Sequence, residues 1–144
     1  MPNALYQPYQ SGLMRATFNK QNYPFATGIA IGLAGPPPTV NSVTEVANVG
    51  SYVRQAVPQT AAAWSYPYDS SGVVYNNSQI TFPVATSYVG WVSGIFIADS
   101  VSYGAGVGAT TGTILFYGNI NPAKEINTND QLYLPVSGLS CRMY

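Results

Sequence analysis

Histidine is absent from this sequence, and cysteine occurs once, at Cys141. The Ser–His and Cys–His systems that activate a nucleophile therefore have no base. One thiol has no partner for an internal disulfide, and without histidine it supplies too few soft ligands for a zinc or iron–sulfur site. We therefore expect no metal, no cofactor and no catalytic residues, and we interpret Cys141 as a packing residue.

Charged residues are also scarce. They make up 7% of the 144 residues, against about 25% in an ordinary soluble domain. The formal net charge is zero and the five basic residues are scattered, whereas nucleic acids and anionic membranes are usually met by clustered Lys and Arg. No apolar run reaches the ~18 residues of a membrane span. We expect neither nucleic acid nor membrane as a partner, and no targeting segment, because the first residues lack a basic stretch followed by an apolar core.

Apolar and aromatic side chains are abundant by comparison, at 47% of the chain, and they include twelve tyrosines. A surface with so little charge provides weak repulsion between copies. This composition is typical of a subunit that works inside an assembly. It is equally typical of a neutral secreted β domain, so composition leaves both alternatives open.

Residues 80–99 form the longest run of strand-forming residues. Both faces of a strand from Tyr88 onward would be mostly apolar, which predicts a strand in the middle of a sheet. We expect Pro83 to separate it from a strand at residues 79–82, because proline lacks a ladder donor. These two strands are predicted to form a hairpin. One predicted face carries Val89, Trp91, Ile95 and Ile97, and the other carries Val92, Phe96 and Ala98.

Shorter apolar or alternating segments predict further strands, separated by turn residues. They lie at residues 28–34, 43–46, 51–57, 114–117, 132–136 and 139–143, with a bend at 118–122. The glycine-rich segment 100–113 is predicted to be a loop, and it lacks the pattern of a phosphate-binding loop. About eight strands and almost no helix predict an all-β fold. We expect an antiparallel sandwich or jelly-roll-like barrel as one domain over residues 26–144.

Residues 1–25 have a different composition and are predicted to form an extended, partly helical N-terminal arm. Three prolines confine the expected helix to about residues 9–19. The aromatic residues of the arm either pack on the body or anchor on a neighbouring subunit. Under the second hypothesis the assembly contacts are Tyr6, Tyr9, Arg15 and Tyr23.

A second aromatic group, Trp64, Tyr66 and Tyr68, alternates along the chain and so shares one side of an extended segment. If that side faces the core, the group only packs. If it faces solvent, it is a contact patch for a host molecule.

Hydrolysis by paired carboxylates would need two of the five acidic residues. None lies in a recognisable motif, and we expect the protein not to be an enzyme. Asp69 and Asp130 have the surroundings of turn residues, and Asp99 those of a strand-end cap. The complete acidic set is Glu45, Asp69, Asp99, Glu125 and Asp130.

The order and spacing of several blocks resemble a family of small tailed-phage virion proteins. The resemblance covers roughly residues 26–141 and offers no catalytic motif. The blocks are Glu45-Val46, residues 50–57, residues 80–86, Gly90-Trp91-Val92, residues 96–99, residues 114–118, Lys124, Ile126, Asn129-Asp130 and Leu132.

The resemblance implies a structural protein of the virion, used either in head decoration or in a tail fibre. We expect a capsid cement protein that binds across neighbouring major capsid protein subunits and stabilises the shell, because aromatic, weakly charged surface suits multivalent burial. It would lie at the capsid surface after assembly in the host cytoplasm, and would self-associate as a dimer or trimer. The alternative is a tail-fibre component that presents Trp64, Tyr66 and Tyr68 to a host glycan.

Overall fold

The computed structural model describes residues 3–20, 28–65, 73–103 and 112–142. Strands dominate these ranges, and every strand pairing in them is antiparallel. In chain order the elements are β1 Asn3–Leu5, α1 Gln7–Asn19, β2 Ile29–Ala34, β3 Gln55–Val57, β4 Trp64–Ser65, β5 Val73–Asn76, β6 Ile80–Thr81, β7 Gly90–Ala98, β8 Ile114–Ile126, β9 Tyr133–Leu134 and β10 Ser140–Arg142.

The strands form three sheets. The largest has the order β1-β8-β7-β2-β3, and the smaller ones are β10-β5-β4 and β6-β9. Side chains from all three sheets meet in one apolar cluster, which places the main core between the large sheet and the two small ones. This arrangement confirms the predicted all-β fold and is consistent with a sandwich.

Strand β7 lies between β8 and β2, so the prediction of a central strand is correct. Ile95 and Ile97 point into the main core, while Phe96 and Ala98 belong to a second buried cluster on the opposite face of the large sheet. Both faces of this part of β7 are therefore buried. A strand that is buried on both faces needs apolar residues at consecutive positions, and residues 95–98 are all apolar.

A glycine in β2 makes room for the largest side chain of the second cluster. A Cβ atom on Gly32 would lie 2.2 Å from Cζ of Phe96, the residue opposite it in β7. The Phe96 ring thus lies directly on the β2 backbone and is fully buried. The sequence alternates Ile29, Ile31 and Leu33 with Ala30 and Gly32, which predicts a small-residue face for β2. The contact with Phe96 explains why that face is small.

Several local predictions were wrong. Residues 51–54 are not strand, and within residues 43–46 only Glu45 forms a bridge, with Ala34. The expected hairpin does not form, because β6 pairs with β9 and not with β7. The predicted bend at residues 118–122 is instead part of the continuous strand β8, although its pairing with β7 is irregular there.

The described part of the arm is joined to the body. Strand β1 pairs with β8, and α1 begins two residues before the predicted helix start. Pro8 is compatible with this earlier start because the first helical turn needs no N–H donor. The division of the chain at residue 25 stays a prediction, since residues 21–27 lie outside the described ranges. Within those ranges, no helix has the length and apolar character to span a membrane.

Candidate binding surface

The first candidate surface is centred on an exposed aromatic residue in the central strand of the large sheet. Trp91 lies in β7, yet its side chain is 56% exposed. The sequence placed it on the same face as Ile95 and Ile97. That assignment was wrong, because the β7–β8 register shifts between Val92 and Gly94. A bulge of this kind exchanges the two faces of a strand.

A glycine at the bulge allows a proline and the neighbouring strand to pack closely against β7. A Cβ atom on Gly94 would lie 2.4 Å from Cδ of Pro38 and 2.6 Å from the Gly118 carbonyl oxygen. Only glycine fits at this crossing of three segments. On the N-terminal side of the bulge Val92 points into the core, so its neighbour Trp91 points outward.

A carboxylate lies beside Trp91. Glu125 in β8 is directly opposite Trp91 in the antiparallel register, so the two side chains share a face of the sheet. The hydroxyl of Tyr88 donates a hydrogen bond to Oε1 of Glu125 over 3.0 Å. This hydrogen bond raises the pKa of Tyr88 and so keeps the phenol in its donor form. Tyr88, Trp91 and Glu125 are all exposed, and we call them the aromatic–acidic surface.

The predicted assembly residues do not form one surface. Tyr6 and Tyr9 are half-buried against the body, where the Tyr6 hydroxyl donates to the Asn41 carbonyl and the Tyr9 ring meets Phe116 edge-on at 6.2 Å. Burial raises the pKa of Tyr9. Arg15 is exposed on α1, and Tyr23 lies outside the described residues.

The outward side of α1 carries apolar residues that the sequence prediction left out. Met14 is 58% exposed and Phe18, one turn further along, is 73% exposed. They flank Arg15 on the same part of the helix. The spacing of four residues between Met14 and Phe18 could have indicated a shared helix face from the sequence. Which face of α1 is exposed to solvent is known only from the packing of Tyr9 against the main core.

The predicted host-contact patch is described at one position only. Trp64 is half-buried against the main core, and its indole N–H donates to the Pro58 carbonyl over 3.0 Å. Tyr66 and Tyr68 lie outside the described residues. For Trp64 the packing alternative therefore fits better than the solvent-facing one.

Each acidic side chain that the structure describes accepts a hydrogen bond from a nearby part of the chain. Asp99 accepts the Thr113 backbone N–H over 2.7 Å, and Asp130 accepts the Asn127 backbone N–H over 2.8 Å. These contacts are those of a strand-end cap and a turn residue, as predicted. Asp69 lies outside the described residues. In the described part of the chain, no three His, Cys, Asp or Glu side chains form a cluster that could hold a metal ion.

Glu45 lies in a buried network that the sequence analysis missed. Its carboxylate accepts hydrogen bonds from Nε and Nη2 of Arg54, both over 2.8 Å, and from the hydroxyl of Tyr52 over 2.7 Å. Glu45 is 1% exposed and Arg54 is 4% exposed. Nη1 of Arg54 donates to the Ser100 carbonyl, and the guanidinium lies 5.1 Å from the centre of the Phe96 ring.

This network completes the large sheet where β3 ends. β3 pairs with β2 only as far as Ile31. Beyond that point the Leu33 N–H donates to the Tyr52 hydroxyl, and Glu45 bridges to Ala34. Burial, together with the negative charge of Glu45, raises the pKa of Tyr52 above its ordinary value. The network is thus a structural cross-link between the loop that follows β2 and the edge of the large sheet.

A comparison with protein families identifies the chain over nearly its whole length. The family model described as podophage GP4 fiber I protein gp80 matches residues 6–142. The chain belongs to this family. No curated protein matches the chain.

Membership of the fiber I family confirms that the chain is a phage virion structural protein, as the sequence resemblance implied. The match begins at residue 6 and so includes α1 and most of the arm, which the resemblance had left out. The family description fits the tail-fibre alternative better than the capsid cement interpretation, which no finding confirms.

Proposed function

We propose that this protein is a non-enzymatic structural subunit of a podophage tail fibre. The observation that carries the proposal is the match of the fiber I family model to residues 6–142. The buried network and the capping carboxylates support it, because the acidic residues described by the structure are engaged in holding the fold or the surface together.

The exposed side of α1 supplies a surface for attachment to a neighbouring virion subunit. Met14 and Phe18 present apolar area on a helix whose other side is fixed to the body. Contiguous exposed apolar residues of this kind mark interaction sites. Burying a Phe side chain contributes about 2 kcal/mol, and repetition of the contact along a fibre raises the effective affinity.

The proposal is tested by locating the protein in purified virions. Gold-labelled antibodies should bind the tail, and quantitative mass spectrometry should give far fewer copies of this chain than of the major capsid protein. Labelling over the whole head, with copy numbers of the same order as the capsid protein, would overturn the proposal in favour of a capsid cement protein.

A further inference from the structure

The aromatic–acidic surface combines an exposed indole with an exposed carboxylate. Trp91 and Glu125 face each other across β7 and β8, and the Tyr88 hydroxyl holds Oε1 of Glu125 at 3.0 Å. At the other end of β7 the same face is covered, because Phe96 and Ala98 are fully buried there. The bulge therefore leaves an open platform at one end of an otherwise covered sheet face.

Each member of the surface offers a different contact to a ligand. The flat indole of Trp91 has a negative π face, which attracts weakly positive C–H groups. The Glu125 carboxylate has several acceptor sites, of which the Tyr88 hydroxyl occupies one. The Tyr88 bond also restricts the carboxylate beside the indole, which reduces the entropy lost on binding.

A sugar ring matches this pair of contacts. A pyranose presents C–H groups on one face and hydroxyl donors at its edge, so it can stack on Trp91 while a hydroxyl donates to Glu125. We propose that Tyr88, Trp91 and Glu125 bind a pyranose unit of a bacterial cell-surface polysaccharide. The choice of a bacterial cell surface as the source of the sugar rests on the proposed function, whereas the pyranose contacts rest on the arrangement of the three side chains.

Two other classes of partner fit the surface less well. A nucleic acid would bring phosphates next to the Glu125 carboxylate, which repels them. A dry protein interface would bury that carboxylate, which requires a cationic partner. In the described part of the chain Arg54 already pairs with Glu45 in the interior, and Arg15 and Lys20 lie on or next to α1. Arg142 lies in β10, and the exposed Lys124 directly precedes Glu125 in β8, so a second copy of the chain would have to bring one of these residues to the carboxylate. A polyhydroxylated ligand meets the carboxylate with neutral donors and leaves it partly hydrated.

The two tryptophans of the chain allow a direct optical test. In the variant Trp64→Phe the remaining indole is Trp91, so its fluorescence reports on the proposed site alone. The protein is titrated with a panel of purified O-antigen and capsular polysaccharides. We expect at least one of them to change the Trp91 emission in a saturable manner, and to bind wild-type protein with the same affinity in a label-free assay.

Substitutions at the surface then identify the contacts. Trp91→Ala should weaken binding at least tenfold, and Glu125→Gln and Tyr88→Phe should weaken it several-fold. All three side chains are exposed, so the variants should fold as the wild type does. Tyr133→Ala, at an exposed tyrosine in β9, is the matched control and should bind normally.

Three outcomes would overturn the inference. They are an unchanged Trp91 emission with every polysaccharide, binding that survives Trp91→Ala, and binding that is lost in a Trp64→Phe variant that unfolds at the same temperature as the wild type. Concentration-dependent self-association that buries Trp91, measured by sedimentation, would reassign the surface to a protein contact. None of these results depends on where the protein lies in the virion, so failure of this inference and failure of the proposed function are distinguishable.

Discussion

At the scale of single residues, the buried Glu45–Arg54 pair is the least expected feature. Its two members come from a chain with few charges, and both are almost completely withdrawn from water. Buried pairs contribute little net stability compared with apolar residues of the same shape, but removing one partner leaves an uncompensated charge. The main effect of the network is therefore to hold the loop that follows β2 in one position, and its net contribution to the free energy of unfolding is small.

We predict that Arg54→Leu lowers the free energy of unfolding by about 3–5 kcal/mol, because the Glu45 carboxylate loses its cationic partner. The double variant Glu45→Leu/Arg54→Leu should be more stable than Arg54→Leu alone. Urea unfolding of the single and double variants measures both effects. Arg15→Leu, at an exposed position, is the control and should change stability by less than about 0.5 kcal/mol. A double variant as unstable as the sum of the two single ones would contradict this account.

A second residue-scale prediction concerns alkaline pH. Burial and the Glu45 charge raise the pKa of Tyr52, so the folded protein keeps the proton above about pH 10 while the unfolded chain releases it. The stability that Tyr52 contributes is therefore present below pH 10 and declines as pH rises further, by up to about 1.4 kcal/mol per pH unit.

Tyr52→Phe should be less stable than wild type at pH 7, because it loses two hydrogen bonds of the network. Its stability should fall less steeply between pH 10 and 12. Equilibrium unfolding at a series of pH values measures the two slopes, and parallel slopes would disprove the assignment to Tyr52.

At the scale of elements, β2 and β7 are in close contact at Gly32 and Phe96. The Phe96 ring occupies the space that a side chain at position 32 would need. We predict that Gly32→Ala lowers the free energy of unfolding by about 1–3 kcal/mol or more, since the ring is held between β2 and Arg54 and has little room to move.

Gly28→Ala is the matched control for that substitution. A Cβ atom at position 28 meets its nearest neighbour, the Asp99 carbonyl oxygen, at an ordinary 3.8 Å. It should therefore leave stability nearly unchanged. Thermal unfolding of the two variants side by side decides the matter, and equal melting temperatures would show that the Phe96 ring moves without cost.

The elements also show how much the sequence could predict. Consecutive apolar residues identified β7, and the alternation of large and small residues identified the faces of β2. The face of Trp91 was missed because the bulge lies in the pairing of β7 with β8, two strands whose register no local pattern in the sequence records. The pairing of β6 with β9 was missed for the same reason: two short strands can pair with any edge that the rest of the fold leaves free.

The buried network could be anticipated only in part. Tyr52 and Arg54 alternate with exposed Val53, so their shared face was predictable. The pattern of apolar residues predicts that Val53 is buried and Arg54 exposed, but the structure shows the reverse. Arg54 can be buried because Glu45 supplies a carboxylate partner. For the candidate sugar site the residue types were visible, but their meeting depends on the β7–β8 register.

At the scale of the whole molecule, the arm and the body present different surfaces to their surroundings. The arm contributes β1 to the edge of the large sheet and directs Phe18 and Met14 outward from α1. The aromatic–acidic surface lies on β7 and β8. A fibre subunit of this construction can use one surface for attachment and another for recognition.

We predict that phage carrying Phe18→Ser incorporate fewer copies of this protein, because about 2 kcal/mol of lost burial corresponds to a roughly 30-fold weaker contact. The isolated variant should unfold like the wild type, since Phe18 is exposed there. Quantitative mass spectrometry of virions measures the incorporation. Val136→Ser, at another exposed apolar position, is the control, and equal incorporation of both variants would exclude α1 as the attachment surface.

The position of Cys141 gives the molecule a built-in reporter of its own opening. It lies in β10 opposite Val74, is 8% exposed and forms no disulfide. Because Cys141 packs in the main core, a thiol reagent in solution reaches the sulfur far faster when β10 separates from β5. The labelling rate of this one atom therefore measures how often that edge of the sandwich opens in the native protein, without any denaturant and without an introduced probe.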